Sequence, residues 1–536
     1  MLNNYIALIR NVKVKCRFTS SFEIDSEAIS RAIRYYKKNC NVDCDYNKAY
    51  IYKKSVDARK KSEIFFVYTI ALPINSEKPP VEAKGIDFIL PFDSSELFES
   101  SLSYSVPPVV VGFGPAGMFC ALALAKAGLN PVVIERGSDV DSRTDTVNKY
   151  WKEGLLDTET NVQFGEGGAG TFSDGKVLTR ISDKLCNYVM SEFVRFGAPD
   201  ELMYLAKPHI GTDNLRKVVK NIRNEIINLG GKVLFNTKLE HINYTSQGHV
   251  NGITLANGES ISCSSLFLCI GHSARDTVLN LKRDGLAVEP KPFSVGVRIE
   301  HLQKDIDKAL YGDFAGAECL GVSQYTLSRK FNNRAVYSFC MCPGGIVVAS
   351  ASDNGQIVTN GMSYYARDGV NANSAIAVSV DTSDYGNTVE GAIEFQENIE
   401  RKAFCIAGND GTAPIQLLGD FMLRRAVCEP SRILPTYTGK TVVRNADDVF
   451  PSFVTDNLRK GISLFESDIE GFTTSDAVLT FPETRTSSPV RIPRNEQYLA
   501  LGFDNLYSCG EGAGYAGGIT SAAVDGLRAA LKFIKS

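Results

Sequence analysis

Three glycines near position 112 have the spacing of a turn that binds nucleotide phosphates. In "VVVGFGPAGMF", Gly112, Gly114 and Gly117 form the pattern GxGxxG between an apolar strand and a predicted helix. The first glycine permits the tight turn, the second lets a pyrophosphate approach the backbone, and the third lets the helix pack closely on the strand. Glu135 ends the next predicted strand, 23 positions after Gly112 (135 − 112), where it can accept hydrogen bonds from a ribose. This segment therefore predicts a dinucleotide-binding unit.

A second candidate for chemistry is the cysteine pair in "YSFCMCPGG". Cys340 and Cys342 would face the same side of a regular strand, which the Pro-Gly-Gly turn then ends. We expect the two thiols to pack as small hydrophobic side chains, as free cysteines usually do. A thiol pair facing the substrate or the cofactor stays open, as does a metal or cluster site, which would need two further ligands. A disulfide between them would be strained and easily reduced.

Three further segments contain candidate catalytic groups, each with a structural alternative. His272 follows a glycine-ended strand and could exchange protons near pH 7, or it could only hydrogen-bond the nucleotide or a loop. Arg298 could bind an anionic substrate, or it could form a structural pair with Glu300 on the same strand. Asn360 and Arg367, in "NGMSYYARD", could line a cleft, or this segment could be a solvated loop.

Composition narrows the class of protein. The chain has 536 residues and a net charge of −3, so we expect no nucleic-acid partner and no membrane surface partner. Thirteen cysteines are scattered without a signal peptide, which indicates free thiols and a cytoplasmic location. The five histidines show no ligand spacing, so we expect no metal site. The remaining partner class is a small-molecule substrate, and nothing indicates the oligomeric state.

The elements that must position these residues divide the chain into four predicted segments. Residues 1–100 have the pattern of a small α+β domain with a helix capped at Asp25 or Ser26. Residues 101–285 form the first part of the nucleotide-binding domain, with "KVLFNTKLEHI" as one strand and a hairpin turn at Asn257-Gly258. Residues 286–489 are an inserted domain with a helix near "PSFVTDNLRKGISLFE". Residues 490–536 return to the strand–glycine–helix pattern and complete the nucleotide-binding domain.

Several features resemble flavoproteins of the glutathione-reductase type, and these favour FAD over NAD. They are the hairpin, the strand ending at Gly271, and the late motif "LYSCGEGAGYAGGITSAA". In the resembled motif an acidic residue, here Glu511, holds the ribityl chain, and the next helix N-terminus faces the flavin. The resemblance implies an α/β fold: a Rossmann-like FAD-binding domain of the glutathione-reductase type, an inserted α+β substrate domain and a small N-terminal α+β domain.

Longer motifs make the resemblance closer, from about residue 50 to the end. The chain resembles the uncharacterised FAD-dependent or NAD(FAD)-utilising dehydrogenases, which are bacterial flavoproteins with an α+β domain ahead of the FAD domain. The motifs are "KKSVDARKK", "NVQFGEGGAGTFSDGK", "IGHSARDT", "KPFSVGVRIEH", "YSFCMCPGG", "NGMSYYARD" and "CGEGAGYAGGITSAAVDG". The resemblance implies bound FAD and a redox role, without naming a substrate.

Carried over position by position, the resemblance also implies which residues contact FAD. An alternative for the glycine-rich stretch 168–171 is a flexible surface loop. The implied contacts are Gly112, Gly114, Pro115, Ala116, Gly117, Glu135, Arg136, Gly168, Ala169, Gly170, Thr171, Leu239, Gly271, Gly510, Glu511, Gly512, Gly517, Gly518 and Ile519.

The sequence therefore predicts an FAD-dependent oxidoreductase, a dehydrogenase or reductase that transfers a hydride between the flavin and an unidentified organic substrate. The chain has no second GxGxxG fold unit for NAD(P)H, so a nicotinamide donor would bind transiently in the substrate cleft. It also lacks a CxxxxC pair beside the flavin, so we do not expect a disulfide reductase. A flavin monooxygenase and a non-catalytic FAD-binding redox sensor or scaffold stay open as alternatives.

Overall fold

An antiparallel sheet with one covering helix forms the N-terminal part of the chain. The computed structural model describes residues 4–40, 42–75, 83–94, 97–102, 104–179, 181, 183–331, 333–425 and 428–536. The N-terminal elements are β1 (Asn4–Lys15), α1 (Ser21–Asn39), a 3₁₀ turn (Tyr46–Lys48), β2 (Tyr50–Asp57), β3 (Phe65–Asn75) and β4 (Ile86–Ile89). The sheet order is β2-β3-β1-β4.

Helix α1 covers this sheet with one apolar face. Ile24, Ala28, Ala32 and Tyr36 recur every four residues and are buried. The helix begins one turn earlier than the sequence predicted, because the Ser20 hydroxyl accepts a hydrogen bond from the Glu23 amide. The predicted cap at position 25 or 26 is therefore wrong.

The next part of the chain alternates short strands with helices. Its elements are β5 (Val109–Val111), α2 (Pro115–Lys126), β6 (Val132–Ile134), α3 (Val140–Glu153), a 3₁₀ turn (Ala169–Phe172), α4 (Lys184–Arg195), a 3₁₀ turn (Asp200–Met203), α5 (Thr212–Asn228), β7 (Lys232–Leu234), β8 (Leu239–Tyr244), β9 (Val250–Leu255), β10 (Ser260–Ser262), β11 (Leu266–Leu268) and α6 (Arg275–Arg283). The hairpin of β9 and β10 turns at Asn257-Gly258, as the sequence predicted.

The following part is richer in longer strands. Its elements are β12 (Glu289–Pro290), β13 (Phe293–Leu302), α7 (Gln303–Tyr311), a 3₁₀ turn (Gly312–Phe314), β14 (Ser328–Phe331), β15 (Arg334–Cys342), β16 (Ile346–Ala349), β17 (Thr359–Met362), β18 (Asn371–Val380), α8 (Thr382–Tyr385), α9 (Val389–Ala407), β19 (Ala413–Leu417), α10 (Leu418–Leu423), β20 (Thr441–Val443), a 3₁₀ turn (Ala446–Asp448), α11 (Ser452–Phe465) and β21 (Val478–Glu483). The chain ends with β22 (Val490–Arg491), β23 (Leu506–Ser508) and α12 (Ile519–Ile534).

A five-stranded parallel sheet carries the predicted nucleotide-binding turn. Its order is β23-β11-β5-β6-β7, so the last strand of the chain pairs beside strands formed hundreds of residues earlier. Helix α2 packs on this sheet and is apolar on every side, and positions 116–125 are all buried. A Cβ atom on Gly117 would lie 1.9 Å from the Gly112 carbonyl oxygen, so only glycine permits this helix–strand contact.

One predicted strand is divided in two. The stretch "KVLFNTKLEHI" supplies β7 to the parallel sheet and β8 to a separate sheet of order β10-β9-β8. Asn236 lies between them with a φ of 52°, a left-handed conformation that asparagine tolerates better than most residues. The chain thus changes sheets at the polar residues 236–238, between two apolar stretches.

A seven-stranded sheet of order β14-β15-β18-β13-β21-β19-β20 forms the other large core. The strands pair antiparallel except for β19 and β20, which are parallel. Every residue of β13 is buried, because the sheet is covered on both faces. Helix α11, which the sequence predicted, places Leu458 and Ile462 against this sheet. Across the described ranges we find no helix with the length and apolarity needed to cross a membrane.

Candidate functional site

A cleft lies between the parallel sheet and the seven-stranded sheet. One side is built from the segments that follow β5, β6, β11 and β23, at the carboxyl edge of the parallel sheet, where open α/β sheets place their ligands. The other side comes from β15, β17 and the end of β21. The predicted site residues that line this cleft are Gly112, Gly114, Pro115, Ala116, Glu135, Arg136, Gly168, Ala169, Gly170, Leu239, Gly271, His272, Cys340, Glu511, Gly517, Gly518 and Ile519.

The remaining predicted site residues lie behind the cleft wall. Gly117 packs α2 on β5, and the side chain of Thr171 turns inward, where its hydroxyl donates to the Glu166 carbonyl. Gly510 and Gly512 flank Glu511, which lines the cleft. A Cβ on Gly512 would lie 2.7 Å from the Gly271 carbonyl oxygen. The predicted catalytic residues Arg298, Cys342 and Arg367 also lie outside the cleft lining. The cofactor contacts of Gly117, Thr171, Gly510 and Gly512 stay predictions.

The glycine-rich turn forms a smooth wall beside the N-terminus of α2. Gly114 is the N-cap residue of α2, and Pro115 occupies its first turn, where no backbone N–H is lost to the helix. Gly168 approaches from the opposite segment so closely that its Cβ would lie 3.0 Å from the Gly114 Cα. The exposed amides and the positive end of the helix dipole fit a pyrophosphate at this point.

Glu135 organises the loops around this turn. Its carboxylate accepts hydrogen bonds from the amides of Phe113, Gly137 and Gly165, at 2.8, 3.0 and 2.9 Å. A carboxylate has about four acceptor positions, so one remains for a ribose hydroxyl in the cleft. Glu135 therefore has a structural role that the sequence did not predict, and its contact with the ribose stays a prediction.

Arg136 is held by carboxylates and is not free to bind phosphate. Its guanidinium donates to Glu159 at 2.8 Å and to Asp276 at 2.9 Å, and it stacks 4.0 Å from the centre of the Phe164 ring. Desolvation opposes the charge, but the two carboxylates raise the pKa of Arg136 above its ordinary value. Arg136, Phe164 and Leu239 all line the cleft, and the stacked planar groups suit an adenine ring.

Glu511 faces the cleft from the other end. Burial raises the pKa of its carboxyl to about 7, and Lys291 opposes that rise. Within the described ranges, no side chain donates a hydrogen bond to this carboxylate, which leaves it available to a ligand hydroxyl. Such a group fits the ribityl chain of FAD, as the resemblance implied.

His272 lies in the cleft as a neutral imidazole. Burial, together with Arg485 and Arg275, lowers its pKa to about 3. The ring Nδ1 is 2.8 Å from the Ser273 hydroxyl, which in turn is 3.1 Å from Gln163 Oε1. A pKa this low keeps the ring neutral near pH 7 and favours the alternative of a hydrogen-bonding role, and proton exchange by His272 stays a prediction.

Arg298 is buried beneath the cleft and does not bind an external anion. Its guanidinium forms two bonds to Glu483, at 2.9 and 2.7 Å, and a third to Asn373 Oδ1 at 2.9 Å. Both predicted roles are therefore wrong: the partner is Glu483 on β21, and Glu300 bonds instead to Asn371 and Thr436. The strand pattern identified the residue as special, but its partner lies 185 positions later.

The two cysteines differ in their surroundings. Cys340 is partly exposed and lines the cleft, whereas Cys342 is fully buried and donates a hydrogen bond to the Cys340 carbonyl at 3.2 Å. The expectation that both thiols pack in the core therefore fails for Cys340 and holds for Cys342. Cys340 has a φ of 44°, so the strand alternation used in the sequence argument is broken at this residue.

Arg367 forms a buried ion pair with Asp174. Its guanidinium donates to the two carboxylate oxygens at 2.9 and 2.5 Å. Burial would raise the pKa of Asp174, but Lys176 and Arg367 hold it well below its usual value. The solvated-loop alternative is therefore also wrong, because Arg367 joins the glycine-rich segment to the segment between β17 and β18.

Several cleft residues were not predicted. Glu483 and Arg485 reach the cleft from the end of β21, and Lys176 and Gln163 reach it from the long connection between α3 and α4. Alternating polar residues in "FPETRTSS" were a possible signal for the first pair, because a buried strand seldom carries charges without a partner. No local pattern marks Lys176, whose ammonium donates to the Met341 carbonyl across the cleft.

Comparisons with known proteins agree with this geometry. Residues 292–486 match the family model described as "FAD-dependent protein, C-terminal domain-like", and residues 108–157 match the "FAD binding domain" model. An uncharacterized protein of Clostridium beijerinckii is 46% identical over 497 residues, which are 92% of this chain and 93% of that protein. The first model contains the cleft residues of β15, β17 and β21, and the second contains the glycine-rich turn with Glu135 and Arg136.

Two solved structures are similar over most of the chain. CtdE in complex with FAD is 12% identical with a TM-score of 0.30, over 80% of this chain and 83% of that one. A geranylgeranyl bacteriochlorophyll reductase-like protein of Thermoplasma acidophilum is 12% identical with a TM-score of 0.34, over 80% and 78% of the two chains.

Proposed function

Because the chain belongs to the family of FAD-dependent proteins and takes FAD as its cofactor, we propose that it is an oxidoreductase acting on a small organic molecule. The fold is an α/β flavoprotein fold with mixed sheets. The redox reaction we propose is transfer of a hydride between the flavin and this substrate.

The observation that supports the proposal is the two-sided lining of the cleft. The nucleotide-binding turn and the groups from β15, β17 and β21 line one continuous space. A protein that only stored FAD would need only the side of the cleft that carries the nucleotide-binding turn. A wall of polar side chains opposite the nucleotide-binding turn supports a second ligand beside the cofactor.

The chain's own residues would bind and orient FAD. We propose that the amides at the start of α2, facing Gly114 and Gly168, hold the pyrophosphate. Glu135 would accept from the ribose, and Glu511 would accept from the ribityl hydroxyls. When bound, FAD supplies the site that accepts or releases a hydride. The walls of the cleft limit access of water to that site.

The electron donor is tested directly on the purified full-length protein. We expect yellow protein that releases FAD on denaturation, and anaerobic bleaching of the flavin absorbance by NADH or NADPH. The bleached protein is then mixed with panels of quinones, enones, imines and disulfides, and return of the absorbance is followed. At least one class should reoxidise the flavin at least about tenfold faster than buffer without it, which is a barrier difference of about 1.4 kcal/mol.

Other outcomes contradict the proposal in different ways. Colourless protein that takes up no FAD would exclude a flavoenzyme. Reoxidation by oxygen alone, faster than by any organic acceptor, would favour a non-catalytic redox sensor. Substrate-stimulated oxidation of NADPH that consumes oxygen and hydroxylates the substrate would favour a flavin monooxygenase.

A further inference from the structure

Cys340 lies where β15 departs from regular strand geometry. Its φ of 44° is in the left-handed region, which is uncommon for a residue with a Cβ atom. The pairing of β15 with β18 shifts register between Phe339 and Cys342, as in a β-bulge. The Cys340 carbonyl is fixed by bonds from Arg298 at 3.1 Å and from the Cys342 thiol at 3.2 Å. Backbone strain maintained in this way is typical of functional positions.

The bulge gives the two cysteines different access to the cleft. Cys340 lines it beside Asn360 and Glu483, and Cys342 is buried behind it. Two positions along a strand span at most about 6.6 Å. This distance lies within the roughly 4.4–6.8 Å between the Cα atoms of disulfide-bonded cysteines. The pair can therefore close a disulfide with one sulfur on the cofactor side.

The charges around the pair favour one thiolate and one thiol. The interaction with Cys342 contributes most to lowering the pKa of Cys340 to about 6, and the nearby Arg298 and Lys176 cations lower it further against the effect of burial. The same interaction raises the pKa of Cys342 well above its ordinary value, as does burial. Reactive cysteines are usually partly exposed thiolates in electropositive surroundings, and Cys340 also has a second thiol beside it.

We propose that Cys340 and Cys342 form a second redox centre, a dithiol–disulfide couple that exchanges two electrons with FAD. In the reducing direction the S–S bond accepts a hydride equivalent, which is two electrons and one proton, from reduced FAD. The bond breaks, Cys342 keeps the proton as a thiol, Cys340 becomes a thiolate, and FAD returns to its oxidised form. In the opposite direction the dithiol gives the same equivalents to oxidised FAD and the disulfide forms again.

Counting electrons tests this couple without any substrate. Air-oxidised, FAD-loaded protein is titrated anaerobically with dithionite, and we expect four electrons per chain: two for FAD and two for the disulfide. The variants C340S and C342A should each accept two. The matched control C405S removes an exposed cysteine on α9 and should still accept four. Flavin absorbance before titration verifies that each variant is folded and loaded.

Labelling of the wild-type protein gives an independent result. Iodoacetamide under denaturing conditions should leave residues 340 and 342 unlabelled after oxidation, in a peptide lighter by two hydrogen atoms, and should label both after reduction. An uptake of two electrons by wild type, or two labelled cysteines after oxidation, would overturn the proposal. The inference rests on the proposed oxidoreductase function, but the two can fail separately. A two-electron protein that still turns over an acceptor refutes only the couple, whereas a four-electron protein with no organic acceptor refutes only the function.

Discussion

At Glu511 and His272, the same burial changes the protonation of two cleft residues in opposite directions. Withdrawal from water disfavours a charge, so the pKa of the carboxyl rises to about 7 while that of the imidazole falls to about 3. Near neutral pH, His272 is neutral and Glu511 is close to half-ionised. The cleft can therefore offer a carboxylate acceptor for hydroxyl groups at Glu511 while His272 adds no positive charge.

Replacing Glu511 tests its role at the cofactor. The variant E511A removes the acceptor and should weaken FAD binding about tenfold, since a hydrogen bond to a charged group contributes roughly 1.5 kcal/mol. E511Q keeps an acceptor oxygen and should lose less. The measurement is the dissociation constant for FAD, from quenching of flavin fluorescence by the apoprotein. E496A, at an exposed position nearby in the sequence, is the control, and equal losses in E511A and E496A would refute the assignment.

The pH dependence of Cys340 is a second prediction at this scale. In the reduced protein its alkylation rate should rise with pH and reach half its maximum near pH 6, because the thiolate is the reacting form. The groups that face it are Cys342, Arg298, Lys176 and Glu483. Removing one cation in K176M should move the midpoint up by about one unit. Peptide mapping after timed labelling gives the rate at each cysteine, and exposed Cys405 should show no shift between the two proteins. A midpoint unchanged by K176M would contradict the electrostatic explanation.

At the scale of the elements, two glycines near the turn between β5 and α2 serve different purposes, one for the fold and one for the ligand. Gly117 is required by the fold, because its Cβ would collide with the Gly112 carbonyl. Gly114 has a φ of −79°, and a Cβ there would meet nothing closer than the Gly168 Cα at 3.7 Å, which is ordinary contact. The space at Gly114 is therefore kept open for something outside the protein chain.

This contrast gives a matched pair of alanine variants. G114A should leave the free energy of unfolding within about 0.5 kcal/mol of wild type. Its methyl group in the cleft wall should nevertheless weaken FAD binding at least tenfold, or about 1.4 kcal/mol. G117A should lose about 3 kcal/mol of stability through overpacking. Denaturant unfolding of the apoproteins and FAD titration measure the two effects. Normal FAD affinity in a stable G114A protein would show that the pyrophosphate lies elsewhere.

The elements also show how far the sequence predicts this structure. The GxGxxG turn, the hairpin at Asn257-Gly258 and helix α11 depend on residues close together in the chain, and their local patterns were sufficient. The split of "KVLFNTKLEHI" into β7 and β8 was not predicted, although the polar residues 236–238 interrupt the apolar residues where the chain changes sheets. The glutathione-reductase type, the domain boundaries and the hydride transfer stay predictions.

The candidate site was less predictable where it depends on distant partners. Strand alternation predicted the same exposure for Cys340 and Cys342, but a bulge at Cys340, whose carbonyl accepts from Arg298, leaves only Cys340 partly exposed. Arg298 itself is paired with Glu483, which no spacing rule connects to it. Burial likewise decides the protonation of His272, and burial at this site comes from both sheets. The exposure of the cysteines, the partner of Arg298 and the protonation of His272 are set only when the two sides of the cleft meet.

At the scale of the whole molecule, buried ion pairs join the two sides of the cleft. Glu400 on α9 accepts two bonds from Arg275 on α6, at 2.8 and 2.7 Å, and two from Arg485, at 3.4 and 3.2 Å. Arg367 and Asp174 make a second buried connection. These charges are costly to bury and are stable only as pairs. These buried ion pairs therefore help to fix the relative position of the two sheets. They thereby also help to fix the width of the cleft.

Neutralising Glu400 tests this coupling. E400Q removes the anion that two buried guanidinium groups share, which leaves Arg485 with only Asp353 and Arg275 with only the more distant Glu397. It should lower the free energy of unfolding by about 3 kcal/mol at pH 7. E390Q is the control, because Glu390 also joins α9 to α6, but through an exposed pair with Lys282 that contributes at most about 1 kcal/mol.

The stability lost in E400Q should depend on pH, because it depends on the ionisation of the Glu400 carboxyl. Burial would raise the pKa of Glu400, but Arg275 and Arg485 hold it well below its ordinary value. Its contribution is therefore complete above the unfolded pKa of about 4.3 and is lost as the pH falls toward the lower folded value. The difference between wild type and E400Q, measured by chemical denaturation, should accordingly be largest near pH 7 and shrink below pH values of about 4. Equal losses in E400Q and E390Q, or a difference that grows on acidification, would show that this ion pair does not hold the two sides of the cleft together.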